Sequence, residues 1–554
     1  MDSWRLLVVF IFLLKTVTAA ETTTKRPNII FILADDLGWN DVGFTGQSDL
    51  QTPNIDALAY HGRILMQHYT MATCTPSRTA LLTGKYPIRT GMQGYPLMAT
   101  EPRGLPLDQR LLPQYLKDLG YQTHLVGKWH LGHYMKKFTP TKRGFDSHFG
   151  HYNGFGSYYS HQIVFNNHTY HDLWRNGIPV NATDRYTTDL YTDEAVNIIQ
   201  AAASGARKFT IRKPRAIEKY LQYNLFVHRN KIASRLERKD APLFLLLSHM
   251  APHAGNPGEH DLEYHEEDLA RFSYIPDERR RKYAAMVWSL DKSVGRIVET
   301  LAGNAMLNNT IIVFSSDNGG ATIQPYENGG SNHPLRGMKY MLLEGGVRTA
   351  ALIWTPQLQL KPLGVSRQMF HITDWLPTLY AAAGTYLNGV RDRYYEDYKN
   401  ATVPHKYNVS EVLRSKVSLN LDALHVGVMN KSEVYRIRSQ ATVVCDSTNS
   451  TKTLCDTAKS ACLFDLHADP CERYNLLTTH PEIVTIMTSK LETYMQMLKP
   501  QVNVSLRSEL VGPFDNDWAF WPEMSANVAM IRSVSFVSSI VMPLLLLISG
   551  NLLS

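Results

Sequence analysis

Four apolar runs most narrow what this chain of 554 residues can fold into: Asn28–Ala34, Tyr121–Val126, Leu243–Leu247 and Thr310–Ser315. Each has the length and β-branched content of a strand buried on both faces. Helix-like segments such as Thr79–Thr83, Leu111–Leu119 and Tyr283–Leu301 lie between them. The alternation predicts an α/β domain built on a mostly parallel sheet. In such sheets ligands gather beyond the carboxyl ends of the strands, so the residues that follow each run carry the functional information.

Those residues are chemically complementary. The first run ends in Asp35-Asp36 and the last in Asp317-Asn318-Gly319-Gly320. The second is followed by Gly127-Lys128-Trp129-His130, and the third by Ser248-His249 and then His253. One polar strand end is unremarkable; four of this kind point to one site assembled from distant segments. Asp35, Asp36, Asp317 and Asn318 offer only oxygen ligands, the set a hard divalent cation takes, with calcium fitting best and magnesium possible. Taken singly, each of these residues also serves as a helix cap or turn former.

The five cysteines divide into a cluster, Cys445, Cys455, Cys462 and Cys471, and a remote single one, Cys74. In an oxidising compartment the cluster suffices for two disulfides, in any of three pairings. Such a compartment is also implied by residues 1–20, in which Arg5, an apolar run from Leu6 to Leu14 and small residues to Ala20 form a secretory signal peptide. Glycosylation sequons stand at Asn167, Asn181, Asn308, Asn400, Asn408, Asn430, Asn449 and Asn503. After Arg532 no charge remains. Small residues Ser525, Ala526 and Asn527, a spacer and an apolar tail match a glycolipid-anchor signal, with a packed C-terminal helix or a marginal membrane helix as the alternatives. The expected division is a catalytic domain over 21–385, connecting loops over 386–419, a smaller domain over 420–513 and the tail over 514–554. Segment 201–240 carries eleven Lys/Arg against three Asp/Glu, and this excess accounts for the whole-chain net charge of +7. It is expected to be a solvated helical insertion, or else a docking surface for sulfated glycans or acidic lipids.

Cys74-Thr75-Pro76-Ser77-Arg78 opens a segment that runs to Gly84-Lys85. Pro76 suits the first turn of a helix and Gly84 its end. That places Cys74 at a helix N-terminus, where backbone amides attract anions, with Arg78 one turn on. An anion between Cys74 and the metal would feel both fields.

These residues resemble the sulfatase family, whose Cys-x-Pro-Ser-Arg signature the segment matches. The resemblance spans about Arg26 to Asn475 through Ala34–Gly43, Gly127–Gly132, Pro334–Lys339, Glu344–Arg348, His371–Thr378 and Leu463–Leu466 with Asp469-Pro470. Within the family the likeness is nearest to arylsulfatase B. It implies an alkaline-phosphatase/sulfatase-like α/β domain with a mixed, mostly parallel sheet flanked by helices, and a smaller C-terminal α+β domain with an antiparallel sheet. It also implies that Cys74 is oxidised to formylglycine by a formylglycine-generating enzyme, and that one calcium ion is held by Asp35, Asp36, Asp317, Asn318 and the modified Cys74. The hydrated aldehyde would attack sulfur, with Asp317 a candidate base. Arg78 and Lys128 would neutralise the transferring group, and His253 and Lys339 would serve the departing oxygen. His130 would take the proton that lets sulfate leave, and Ser160 would touch the substrate alongside Lys128, His253 and Lys339. The family often has Val-His-x-Pro where this chain has Ala251-Pro252-His253-Ala254-Gly255-Asn256-Pro257, which leaves His249 as a competitor for the place given to His253.

The implied reaction is hydrolysis of a sulfate ester of the N-acetylgalactosamine 4-sulfate type or of a small sulfated metabolite. A phosphate or phosphonate ester hydrolase and a catalytically silent glycan-binding surface protein are the alternatives. The implied location is the cell surface or exterior, with the lysosome as alternative. No nucleic-acid partner is expected, and the sequence fixes no oligomeric state.

Overall fold

The computed structural model describes residues 25–204, 241–258, 261–323, 327–356, 364–384, 407–424, 429–445, 455 and 460–501. The leader, most of the basic segment, the anchor-like tail and the sequons at Asn400, Asn449 and Asn503 lie outside the described residues. Twelve strands are described: β1 (Asn28–Ala34), β2 (Arg63–Tyr69), β3 (Gln122–Gly127), β4 (Ser147–Gly150), β5 (Gln162–Phe165), β6 (His168–His171), β7 (Trp174–Arg175), β8 (Ile178–Pro179), β9 (Leu243–Ser248), β10 (Thr310–Ser316), β11 (Ala351–Trp354) and β12 (Gly364–His371). Ten of them form one sheet in the order β12-β2-β11-β10-β1-β9-β3-β4-β7-β8.

The four apolar runs of the sequence are the adjacent central strands β10, β1, β9 and β3. All three of their pairings are parallel, so their carboxyl ends open at the same edge. Both faces are covered, which is why these runs are continuously apolar. Ile30, Ile32 and Ala34 of β1 enter one core with helices α1 (Pro53–Tyr60), α4 (Thr187–Ser204) and α5 (Glu278–Gly303). Ile29, Phe31 and Leu33 enter the other with α2 (Cys74–Thr83), α3 (Leu112–Asp118) and α6 (Trp375–Ala382).

Helices α7 (Val409–Leu413), α8 (Lys416–Asp422) and α9 (Lys431–Ala441) add their apolar side chains to the first of these cores. Arg438 of α9 is fully buried and donates to the carbonyls of Gly43, Gly46 and Gln47, satisfying a loop that has no sheet partner. The cysteines pair as Cys445–Cys471 and Cys455–Cys462. Beyond them α10 (Pro481–Gln496) packs Met487 over Leu463. A small antiparallel sheet is present, but as the β5-β6 hairpin over 162–171. Past residue 420 the described residues hold helices and disulfide-linked loops. No described helix is long and apolar enough to cross a membrane.

Candidate active site

Several of the polar strand ends meet at one edge of the sheet. Asp35 and Asp36 follow β1, Lys128 follows β3, and Asp317 and Asn318 follow β10. α2 begins at Cys74 and is closed by Gly84 in the left-handed region at φ 64°. Its N-terminus delivers Cys74 and Arg78 to the same place. Donor atoms of Asp35, Asp36, Cys74 and His253 all lie within 4.8 Å of one another, and all four residues are buried.

Three cations hold the three carboxylates. Arg78 donates from Nε (3.1 Å) and Nη2 (2.8 Å) to Asp317 Oδ2, and from Nη1 to Ser248 Oγ (2.5 Å) and the Lys128 carbonyl (3.1 Å). Ser248 was not singled out in the sequence beyond its place at a strand end, yet it fixes the guanidinium plane. Lys128 Nζ donates to Asp35 Oδ2, and Lys339 Nζ to Asp36 Oδ2 at 2.6 Å. Burial alone would raise the Asp36 carboxyl, but Lys339, His253 and Lys128 outweigh it and hold it at about 2. For Asp317 burial and the neighbouring Asp35 prevail over Arg78 and Lys128, and the group stands at about 6. Burial pushes the Cys74 thiol up to about 12, against a smaller pull downward from Lys128 and Lys339. As a plain thiol it would stay protonated at physiological pH, a poor nucleophile and a poor ligand.

The two histidines are built differently. His130 sits at φ 55°, and its Nε2 contacts the Leu97 carbonyl at 2.8 Å. A carbonyl only accepts, so Nε2 carries the hydrogen and Nδ1 keeps its lone pair. That Nδ1 is buried without a hydrogen-bond partner, and burial, reinforced by Lys128, lowers the ring's pKa well below the ordinary value. His253 turns Nδ1 to the Ala254 carbonyl at 2.5 Å and Nε2 to Lys339 Nζ at 3.2 Å. The ammonium only donates, so Nε2 is the acceptor and the ring is neutral. Burial, then Lys339, hold it at about 3. His249 instead bonds Ser293 of α5 at 3.0 Å and packs as a core histidine. Ser160 bonds within its own turn, through its amide to Ser157 Oγ at 3.0 Å; no contact ties it to the cluster among the described residues.

The donor set accommodates a hard cation. Asp35 Oδ1 and Asn318 Oδ1 are buried and lack any hydrogen-bond partner, a costly arrangement unless something else satisfies them. The orphaned amide oxygen of Asn318 is the kind of neutral ligand calcium accepts beside carboxylates.

A model of the family described as sulfatase matches residues 27–385. The chain is 33% identical over 512 residues to arylsulfatase J of Mus musculus, covering 87% of this chain and 78% of the relative. It is 31% identical to N-acetylgalactosamine-6-sulfatase of Homo sapiens, covering 88% and 89%. The crystal structure of Ps i-CgsB superposes with a TM-score of 0.61 at 26% identity, covering 86% of this chain and 94% of that one. These relatives do not carry the narrower likeness to arylsulfatase B drawn from the motifs. With the family model spanning most of the sheet domain and the strand-end residues gathered around Cys74, the chain belongs to the sulfatase family.

Proposed function

We propose that the chain hydrolyses sulfate esters of sugars, using one calcium ion and a formylglycine made from Cys74. The observation that carries this reading is the pair of orphaned oxygens on Asp35 and Asn318 beside a lone buried cysteine at a helix N-terminus. Asp35, Asp36, Asp317, Asn318 and the modified residue 74 would hold the metal. Three carboxylates already balance Arg78, Lys128 and Lys339, so a divalent cation leaves an excess of positive charge, suited to a sulfate ester anion. When present, the calcium would supply Lewis acidity and the hydrated aldehyde an oxygen nucleophile.

The chain's own residues account for the rest. Arg78, braced by Asp317 and Ser248, and Lys128 would neutralise charge on the transferring sulfuryl group. Lys339, hydrogen-bonded to His253, would supply the proton or the charge that the departing alcohol oxygen needs. His130, with a bare lone pair at Nδ1, would accept the proton whose removal releases sulfate. Asp317 has Oδ2 occupied by Arg78 and Oδ1 by the Asp36 amide at 3.3 Å, and it would act mainly as ligand and orienter.

The sugar substrate is supported by relatives named N-acetylgalactosamine-6-sulfatase and by Ps i-CgsB, solved in complex with k-i-k-neocarrahexaose. The 6-sulfate therefore enters beside the 4-sulfate that the motifs suggest. Passage through the secretory pathway is supported by the two disulfides and by exposed sequon residues Asn167, Asn181, Asn308, Asn408 and Asn430. Asn408 and Asn430 cap helices through Oδ1, which leaves Nδ2 for a sugar. The surface, exterior and lysosome remain the proposed locations, with glycolipid anchoring as an extension of the surface reading.

The test is mass spectrometry of the tryptic peptide Ile64–Arg78 from protein made in a secretory host, together with sulfate release from sugar sulfates. The expected result is an aldehyde at position 74, and loss of sulfate release in Cys74→Ser with melting temperature preserved. Full-rate sulfate release by protein that retains the unmodified thiol overturns the proposal.

A further inference from the structure

Two aromatic rings, an exposed one on Tyr95 and a half-buried one on Tyr340, lie next to Lys339 of this site, and the mechanism uses neither. Tyr95 is 66% exposed, although a large ring usually buries its faces. Its ring centroid lies 6.0 Å from that of the half-buried Tyr340, and the Tyr340 centroid lies 5.5 Å from Lys339 Nζ. The rings thus continue outward from the ammonium that faces the departing oxygen. Their backbones are tied to the residues just before Cys74. The Tyr340 amide donates to the Ala72 carbonyl at 2.8 Å, and Thr73 Oγ1 donates to the Gly94 carbonyl at 3.0 Å.

Both positions are held firmly. Tyr340 sits at φ 73°, a left-handed conformation that a bulky residue adopts only where its surroundings enforce it. The loop bearing Tyr95 is pinned by the Leu97 amide donating to Thr75 Oγ1 at 3.0 Å and by His130 at the Leu97 carbonyl. Gln93 Nε2 adds a bond to the Lys499 carbonyl at 2.9 Å. Backbone fixed in advance beneath both rings lowers the entropic cost of binding a partner.

We infer that Tyr95 and Tyr340 form a stacking platform for the pyranose ring that carries the scissile sulfate, and so select sugar sulfates over acyclic sulfate esters. A pyranose presents a C–H face that an aromatic ring covers while the hydroxyls stay hydrogen-bonded at the rim. This rests on the sugar sulfatase reading above and names the groups that set its substrate class.

The test compares Tyr95→Ala, Tyr95→Phe and Tyr340→Phe with the native protein on N-acetylgalactosamine 6-sulfate and on a short acyclic alkyl sulfate. For Tyr95→Ala the KM for the sugar should rise about tenfold, with kcat changed less than about threefold. Both Phe variants, which keep the ring, should stay within about twofold. The KM of the alkyl sulfate should move far less than that of the sugar. In parallel, calorimetry reads the binding of the same sugar sulfate to Cys74→Ala with and without Tyr95→Ala, where an affinity loss of about tenfold is expected. Equal losses on both esters, or no loss of sugar binding, overturn the platform. A native protein that releases sulfate from no ester sinks the sulfatase reading instead, and the binding comparison still decides the platform.

Discussion

Lys339 Nζ stands 2.6 Å from Asp36 Oδ2 and 3.2 Å from His253 Nε2, so one ammonium bridges a carboxylate proposed to hold the metal and an imidazole proposed to face the leaving group. The pairing with Asp36 keeps Lys339 protonated despite burial. Lys339→Met should therefore lower kcat by about 100-fold or more, because charge on the departing oxygen goes unanswered. Calcium affinity should be kept or tightened, since a neighbouring cation is removed. Steady-state kinetics and a calcium titration check this, and a kcat within tenfold of native contradicts it.

Calcium should also be a folding ligand. Asp35 Oδ1 and Asn318 Oδ1 are buried without a hydrogen-bond partner, and on the proposed reading the metal is what would satisfy them. A ligand at about 100 times its Kd adds roughly 2.7 kcal/mol to stability. Chelation should accordingly lower the melting temperature, and added calcium should restore it. Asn318→Ala should shrink the calcium-dependent gain in addition to lowering the melting temperature of the chelated protein, where it removes the Nδ2 bonds to Asp36 Oδ1 at 2.6 Å and to the Gly319 carbonyl at 2.9 Å. A melting temperature indifferent to chelator would refute the metal assignment.

Much of this arrangement was legible in the sequence because it depends on local pattern. Continuous apolar runs identified the central strands β10, β1, β9 and β3, and Pro76 and Gly84 bracketed α2. The flanking strands β7 and β8 have two residues each, too short for any periodicity, and exist only through their neighbours. The disulfide pairing needed chain geometry. The Arg78–Ser248 bond joins residues 170 positions apart, and nothing in either local pattern announces it. Likewise the tautomer of His130 depends on the carbonyl of Leu97, an atom every residue possesses.

Gly154 is a further residue whose bearing on the proposed site is hidden from sequence. A Cβ there would lie 2.3 Å from His130 Cε1 and 2.7 Å from Nε2, so the imidazole could not stay where the Leu97 carbonyl holds it. Displacing a catalytic group by about 1 Å costs on the order of 100-fold in rate. Gly154→Ala should lose that much kcat with a modest change in melting temperature. Gly303→Ala, where the added carbon meets nothing within 4 Å, serves as the control and should keep native kcat. A Gly154→Ala enzyme of native activity would show that the ring has room to spare.

The last expectation concerns pH. Glu472, fully buried beside the Cys445–Cys471 disulfide, accepts the Glu344 amide on Oε2 at 3.0 Å and leaves Oε1 without a partner. Burial first, and the carboxyl of Glu344 next, raise it from 4.5 to about 8. A folded-state value above the unfolded one means that folding favours the protonated acid. The contribution is whole below about 4.5 and is lost as pH rises through about 8. Between those limits the docking of the disulfide loop onto segment 344–348 should weaken, by roughly 1–3 kcal/mol in all. Thermal melting from acid to mildly alkaline pH should thus show a falling melting temperature. In Glu472→Gln, which carries no titrating proton, the slope should flatten because the amide stays neutral throughout. If native and variant slopes coincide, Glu472 ionises in the folded protein without penalty, and its buried contact with Glu344 does not hold this loop in place.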